Sequence, residues 1–285
     1  LYPIQKIYKN KNMKKVFIKI SALSIALAVA TSCTKTGPAG PSGGTGPAGP
    51  SLTGSMQGTV FLYDASGAKQ LPTGAVSLQG AAVTITNNST GVTTTEATTG
   101  AGSYSFGNLT TGTYSITVSL TGYGSVIAQG VQFAGGGTAN RNFALSVVPT
   151  TTVTSAVAVD TSYAVGAGNV AENYVKVRGY VPVSTSGSTV IVYVSIPGIT
   201  STSGMAGNFS SYYTATIAPG ATSFRINIPT ASLYDLGFVT GNTVYLAAYI
   251  IGGNTSASSY TDWTTGQTVF TALSSTAVNT SAGVQ

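Results

Sequence analysis

Beyond residue 56 the chain alternates. Val83 and Ile85 interleave with Thr84 and Thr86, and Tyr104 and Phe106 with Ser103 and Ser105. Tyr114, Ile116, Val118 and Leu120 interleave with Ser115, Thr117 and Ser119. An apolar residue at every second place is the signature of a strand with one wet and one buried face. Thr59–Tyr63 forms an earlier apolar run, and Val131 with Phe133 and Phe143 with Leu145 form two closing ones. Gly91, Gly100, Gly102, Gly107-Asn108 and Gly112 punctuate these runs as turns. About seven short strands at this spacing predict a small β-sandwich over residues 57–147.

After Val148-Pro149-Thr150-Thr151-Thr152, which reads as a linker, the pattern resumes. Val175/Val177/Val181, Val190 to Ile196, Phe224/Ile226/Ile228, Val244 to Ile250 and Val269 to Leu273 are strand-length runs bounded by Gly, Pro, Asn or Ser. They predict a second sandwich, of immunoglobulin or fibronectin type III kind, over 153–273. Residues 274–285 carry no pattern and are expected to fray. The fold class is therefore all-β, with two small sandwiches.

The first 50 residues obey different rules. Residues 1–12 look like upstream sequence, and Met13-Lys14-Lys15 opens a basic segment followed by the apolar run Ile20–Ala30. That is the layout of a signal peptide, and the run is too short for a membrane span of about 20 residues. Ala30-Thr31-Ser32-Cys33 resembles the lipobox of bacterial lipoproteins, although Ala30 stands where that pattern prefers Leu. The resemblance implies cleavage before Cys33 and acylation of that residue, with residues 1–32 removed and the bilayer as partner. Two or more acyl chains give lasting attachment. From Gly37 to Ser51, Gly recurs at every third place through five triplets, a collagen-like Gly-X-Y tract within the expected tether 33–56. An extended spacer with a reach of roughly 45 Å is the favoured reading, and a trimerising stalk is the alternative.

Composition changes the picture in two ways. Charged residues are only 6% of the chain, too few to coat the wet faces of long helices. The net charge of +6 belongs to the leader, because the six bases and six acids after Cys33 balance. Hence no nucleic-acid partner is expected. With no His and one Cys, neither an internal disulfide nor a His/Cys zinc site can form, and no cofactor is implied.

The run Gly102-Ser103-Tyr104-Ser105-Phe106-Gly107-Asn108-Leu109-Thr110-Thr111-Gly112-Thr113-Tyr114-Ser115-Ile116-Thr117-Val118, with Gly122-Tyr123 after it, resembles the carboxypeptidase regulatory-like domain. That family is a transthyretin-like sandwich, grouped with carbohydrate-binding-like folds. The resemblance implies a fold and a habit of accompanying other modules, without the peptidase. Thr99 stands where the family often has an Asp. Val244-Tyr245-Leu246-Ala247-Ala248-Tyr249 is distantly similar to the penultimate strand of fibronectin type III domains.

Catalytic strings are present but out of context. Gly40-Pro41-Ser42-Gly43-Gly44 lies in the collagen-like tract. Ser66-Gly67-Ala68-Lys69 and Lys35-Thr36-Gly37 stand in the wrong order, and Gly166 to Ala171 has no βαβ unit around it. Asp235 and Asp262 are the acids expected near one end of the second sandwich, as surface-loop residues. No catalytic residue is assigned. Two aromatic groups suit binding instead: Tyr260, Asp262 and Trp263 before the last strand, and Tyr212-Tyr213 in another connection. The expected protein is a non-catalytic lipoprotein of the bacterial envelope, on the outer-membrane side, displaying two sandwiches for adhesion or for binding carbohydrate or protein. An accessory subunit of an outer-membrane or nutrient-uptake assembly is the alternative, and a cryptic hydrolase a third.

Overall fold

The computed structural model describes residues 52–71, 77–162, 173–205 and 208–285. The leader, Cys33 and the Gly-X-Y tract lie outside the described residues.

The first sandwich is built on β1 (Thr53–Tyr63), β2 (Ala82–Asn87), β3 (Thr93–Ala97), β4 (Ser103–Thr110), β5 (Gly112–Ser119), β6 (Val126–Phe133), β7 (Thr138–Asn140) and β8 (Phe143–Ser146). One sheet has the order β3-β2-β5-β6, all antiparallel. In the other, β1 is flanked by antiparallel β4 on one edge and by parallel β7 and then β8 on the other. Between β7 and β8 the chain passes so close to β1 that a Cβ at Gly58 would lie 1.6 Å from the Arg141 carbonyl oxygen. The Tyr104 hydroxyl donates to that same carbonyl at 2.7 Å, and the Thr59 amide to Asn142 Oδ1 at 2.9 Å. Burial pushes the Tyr104 phenol up to about 12, so it stays a donor throughout the neutral range. The inward residues form one core: Met56, Val60, Leu62, Leu78, Val83, Ile85, Tyr104, Phe106, Tyr114, Ile116, Val118, Phe133, Phe143 and Leu145.

The second sandwich follows with β9 (Ser155–Ser162), β10 (Asn173–Tyr180), β11 (Ser188–Ser195), β12 (Phe209–Ile217), β13 (Ser223–Pro229), α1 (Thr230–Asp235), β14 (Thr243–Ile251), β15 (Ser259–Thr261), β16 (Thr268–Phe270) and β17 (Val278–Gly283). Its sheets run β13-β10-β9 and β12-β11-β14-β17, and β15 and β16 form a separate hairpin. The central strands β11 and β14 are buried on both faces. Their inner face joins the sandwich core, while Ile191, Tyr193, Ala247 and Ile251 form an outer cluster capped by Phe270 of β16. That double burial explains why 190–196 and 244–251 read as continuous apolar runs rather than alternating ones.

Several expectations are corrected. β1 begins at Thr53, because Thr53 and Gly54 already pair with Thr110 and Leu109, so the tether ends earlier than residue 56. Gly107-Asn108 is no turn: it is a bulge inside β4 with Asn108 at φ 55°, and the crossing between sheets comes at Thr111. The segment 274–285 is not a frayed tail. Val278–Gly283 pairs with β14 along its length, and Ala282 and Val284 are buried in the core. Tyr212-Tyr213 is not in a connection but in the middle of β12, where the period of two sends the rings to opposite faces.

The two sandwiches touch directly through a cluster of hydrogen bonds. Ser258 Oγ accepts from the Ser146 amide at 2.7 Å and donates to the Gly124 carbonyl at 2.9 Å. The Ser258 amide itself donates to the Ala144 carbonyl, and Thr271 Oγ1 donates to the Ser125 carbonyl. Backbones touch here through glycine: a Cβ at Gly252 would meet the Val147 carbonyl oxygen at 2.7 Å, and one at Gly253 would meet the Gly67 nitrogen at 2.3 Å.

Candidate functional site

Beside this joint, a bulge in the first sandwich and the hairpin of the second make a shared ledge. In the β5–β6 pair the register slips between Tyr114 and Ile116, so Ser115 faces both Gln129 and Gly130. Gly130 takes φ 62°, the left-handed conformation such a bulge requires. The absence of a side chain there makes room for Trp263: a Cβ on Gly130 would fall 1.8 Å from Cη2 of the indole. The Trp263 amide donates to Gln129 Oε1 at 3.2 Å, which anchors the hairpin tip to β6. Asn88, Ser115, Gln129, Gly130, Trp263 and Thr264 line an open recess of about 300 Å³. Ser115 Oγ donates to Asn88 Oδ1 at 2.9 Å, which sets that amide's orientation.

Trp263 nonetheless remains 65% exposed. A large ring left that open beside fixed amide and hydroxyl groups is an aromatic platform with hydrogen-bonding partners to hand.

The sequence-predicted residues fall as follows. Tyr260 lies in β15 opposite Val269, half-buried where the hairpin rests near β6. Asp262 closes the turn: its carboxylate accepts from the Thr264 amide at 2.8 Å, its amide donates to Gln267 and its carbonyl accepts from Gly266. The hydrogen bond from the Thr264 amide holds the Asp262 carboxyl below the ordinary carboxylate range. Asp262 therefore shapes the turn that presents Trp263. Tyr212 stands edge-on to Phe270, with centroids 4.9 Å apart, on the outer face of β12. Tyr213 packs against the inner core and joins no platform. Cys33 lies outside the described residues.

Gln129, Asn88 and Ser115 were not among the expected residues. The one trace of them is Gly130, a glycine inside a strand pattern, which marks a bulge or a close approach.

Tyr212, 39% exposed, borders a smaller recess of about 180 Å³ with Phe209, Ser210 and Gln267; two larger ones lack an open ring. A cleft of about 500 Å³ along the 147–151 linker is lined by Ser, Thr, Pro, Gly and aliphatic residues. A trough of about 530 Å³ on the first sandwich gathers Gln57, Glu96, Asn140 and Asn142. Of the catalytic strings, Ser66 to Lys69 has a structural role, whereas Gly40 to Gly44, Lys35 to Gly37 and Gly166 to Ala171 lie outside the described residues. Ser66 Oγ donates to Asp64 Oδ1 at 2.6 Å within a turn, and Lys69 Nζ sits 3.5 Å over the Phe61 ring. Asp235 closes α1, whose Tyr234 hydroxyl reaches Thr240 and Gln285 beside the start of β14, whereas Asp262 lies in the hairpin beyond the other end. Among the described residues, no three His, Cys, Asp or Glu side chains gather to hold a metal ion, and no helix is long and apolar enough to cross a membrane.

Residues 64–146 match the carboxypeptidase regulatory-like domain. The match covers β2 to β8 and most of the alternation described above. Among curated proteins, no sequence matches the chain. Among solved structures, it is similar to a candidate carbohydrate-binding protein from Bacteroides uniformis, with 12% identity over 70% of this chain and 90% of that one and a TM-score of 0.26. It is similar also to a DUF3823 family protein from Parabacteroides merdae, with 12% identity, 81% and 100% coverage and a TM-score of 0.26. The major pilin SpaD of Corynebacterium diphtheriae gives 11% identity, 81% and 64% coverage and a TM-score of 0.24. At such scores the all-β architecture rests on this chain's own strands and ladders.

Proposed function

We propose that this chain is a non-catalytic carbohydrate-binding protein, held at a bacterial cell envelope by acyl chains on Cys33. The observation that carries the binding half is Trp263, left open on a ledge shared by two sandwiches and ringed by Asn88, Ser115 and Gln129. The side chains that line the ledge carry no charge, which suits a neutral sugar: a pyranose ring lays its C–H face on the indole while amides and hydroxyls meet its hydroxyl groups. The anchor rests on the lipobox-like residues before Cys33, and the outer membrane is the side we assign it.

Trp263 is the lone tryptophan, so its fluorescence reports on the ledge directly. Titration with neutral oligosaccharides is expected to give a saturable blue shift, and Gln129→Ala to weaken it by about tenfold, the loss of a hydrogen bond or two. A panel of neutral glycans that leaves the emission unmoved refutes the binding half. Cys33→Ser protein retained in membranes at the wild-type level refutes the anchor. One observation favours the accessory-subunit reading as a second: β3 is an edge strand exposed along its whole length, open to pairing with another chain. A one-to-one partner on purification would support it.

A further inference from the structure

The balanced charge of the chain hides a local imbalance. Five Lys or Arg residues lie among the described ones, and three of them, Lys176, Arg178 and Arg225, share one sheet face. β10 buries Val175, Val177 and Gly179 and turns Lys176, Arg178 and Tyr180 outward. β13 buries Phe224, Ile226 and Ile228 and turns Ser223, Arg225 and Asn227 outward. The register sets Arg178 directly opposite Arg225, with Lys176 opposite Asn227 and Tyr180 opposite Ser223. Like charges placed so are unfavourable in a sheet. In a chain with so few charges to distribute, nothing in packing requires that pairing.

Among the described residues of the three strands of this face, no acid offsets it; Glu172, just before β10, lies outside the described residues. Asp160 of β9 pairs with buried Val175 and so belongs to the core side. Asp235 lies past the end of β13, on α1. β9 instead contributes Val157 and Val159, outward and opposite Arg178 and Lys176. Val157 and Tyr180 are each 59% exposed. The result is a sheet face that pairs two arginines across β10 and β13, with a lysine one repeat of about 7 Å along the strand, an amide, and an open phenol ring.

We propose that this face binds an acidic polysaccharide. Arg178 and Arg225 together offer forked donors to a carboxylate or sulfate. Lys176 takes the next charge along the chain, and Tyr180 gives a sugar ring a surface to stack on. A linear polyanion relieves the repulsion between the arginines, which a neutral glycan cannot do. The strand-built surface, with aliphatic groups no taller than the cations, suits an extended polymer better than a bilayer, into which a protruding apolar wedge would insert. This site is independent of the Trp263 ledge and stands or falls without it.

The test is affinity electrophoresis of the full chain and of Arg178→Gln/Arg225→Gln in gels containing polygalacturonate, a carboxylated polymer, with dextran as the neutral control. Lys69→Gln, which removes one charge elsewhere, is the control for charge loss away from this face, and thermal melting of each variant checks the fold. Wild-type protein is expected to be retarded by polygalacturonate and not by dextran. The double variant should lose about tenfold in apparent affinity or more, and Lys69→Gln little. Retardation should weaken as salt rises. Absence of retardation, or equal retardation of the double variant while its melting temperature is unchanged, overturns the proposal. So does equal or tighter binding of duplex DNA or of anionic phosphatidylglycerol vesicles through the same two arginines, since the occupant would then be another class of polyanion. If the double variant fails to fold, Arg225→Lys decides. It keeps the charge and loses the fork, so it should bind carboxylate several-fold more weakly, and unchanged binding overturns the proposal.

Discussion

One hydroxyl serves both sandwiches, and its removal is the most informative single change. In Ser258→Ala, the Ser146 amide loses the oxygen it donates to at 2.7 Å, and the Gly124 carbonyl loses a donor at 2.9 Å. Ser146 is fully buried and Ser258 is 1% exposed, so water does not replace either partner. An orphaned buried donor costs about 1–3 kcal/mol, and the second bond adds about 0.5–1.5 kcal/mol. The expected destabilisation is about 2–4 kcal/mol, or roughly 5–15 °C in a folded part of this size. Scanning calorimetry with urea unfolding measures it. Because the lost bonds join the modules, the endotherm should also broaden or split into two. Ser258→Gly supplies the internal control. Ser258 holds φ 54°, a conformation that costs a residue with a Cβ about 1–2 kcal/mol and glycine little. The glycine variant loses the same hydroxyl but is relieved of that cost, so it should fall between wild type and alanine. An alanine variant within about 0.5 kcal/mol of wild type, or one more stable than the glycine variant, refutes this account of the joint.

Removal of residues 278–285 should abolish cooperative unfolding of the second sandwich, because it strips β17 from β14 and empties the places of Ala282 and Val284; circular dichroism melts of the truncated chain check this. Asp160→Asn should stabilise the protein at neutral pH. Burial raises the Asp160 carboxyl, so the folded state disfavours its charged form; that charge subtracts stability as pH rises through the unfolded value near 3.8 toward the higher folded one. The gain from the substitution should therefore shrink as acid protonates the wild-type group, and paired melts at pH 3 and pH 7 are the measurement.

The first sandwich was legible because its strands keep a strict period. Tyr114, Ile116 and Val118 point inward and the serines and threonines between them do not, so the pattern and the packing state the same fact. Strands without that contrast stayed hidden. β3 is Thr-Thr-Thr-Glu-Ala with every residue exposed, and β17 offers only Val278 and Ala282 to the core, too little hydrophobicity to distinguish from a tail. β12 hides for the opposite reason. Its inward Tyr213, Ala215 and Ile217 alternate with Thr214 and Thr216, but Tyr212, 39% exposed and edge-on to Phe270, adds an outward ring that breaks the period. The ledge was half legible. Trp263 stands out in the sequence, whereas Gln129 is 134 positions away and meets it only because two modules dock. The basic face is likewise a product of register, which total charge cannot foretell.

The way the chain enters the first sandwich has a mechanical consequence. Whatever precedes Thr53 pulls directly on β1, and β1 is an interior strand, laddered to β4 on one side and to β7 and β8 on the other. Tension along that strand must shear both ladders at once instead of peeling one bond at a time from a rim. A molecule fastened at its amino end and tugged by whatever it grips would thus meet its greatest resistance at the point of entry, with Gly58 threaded beneath the Arg141 carbonyl as the latch.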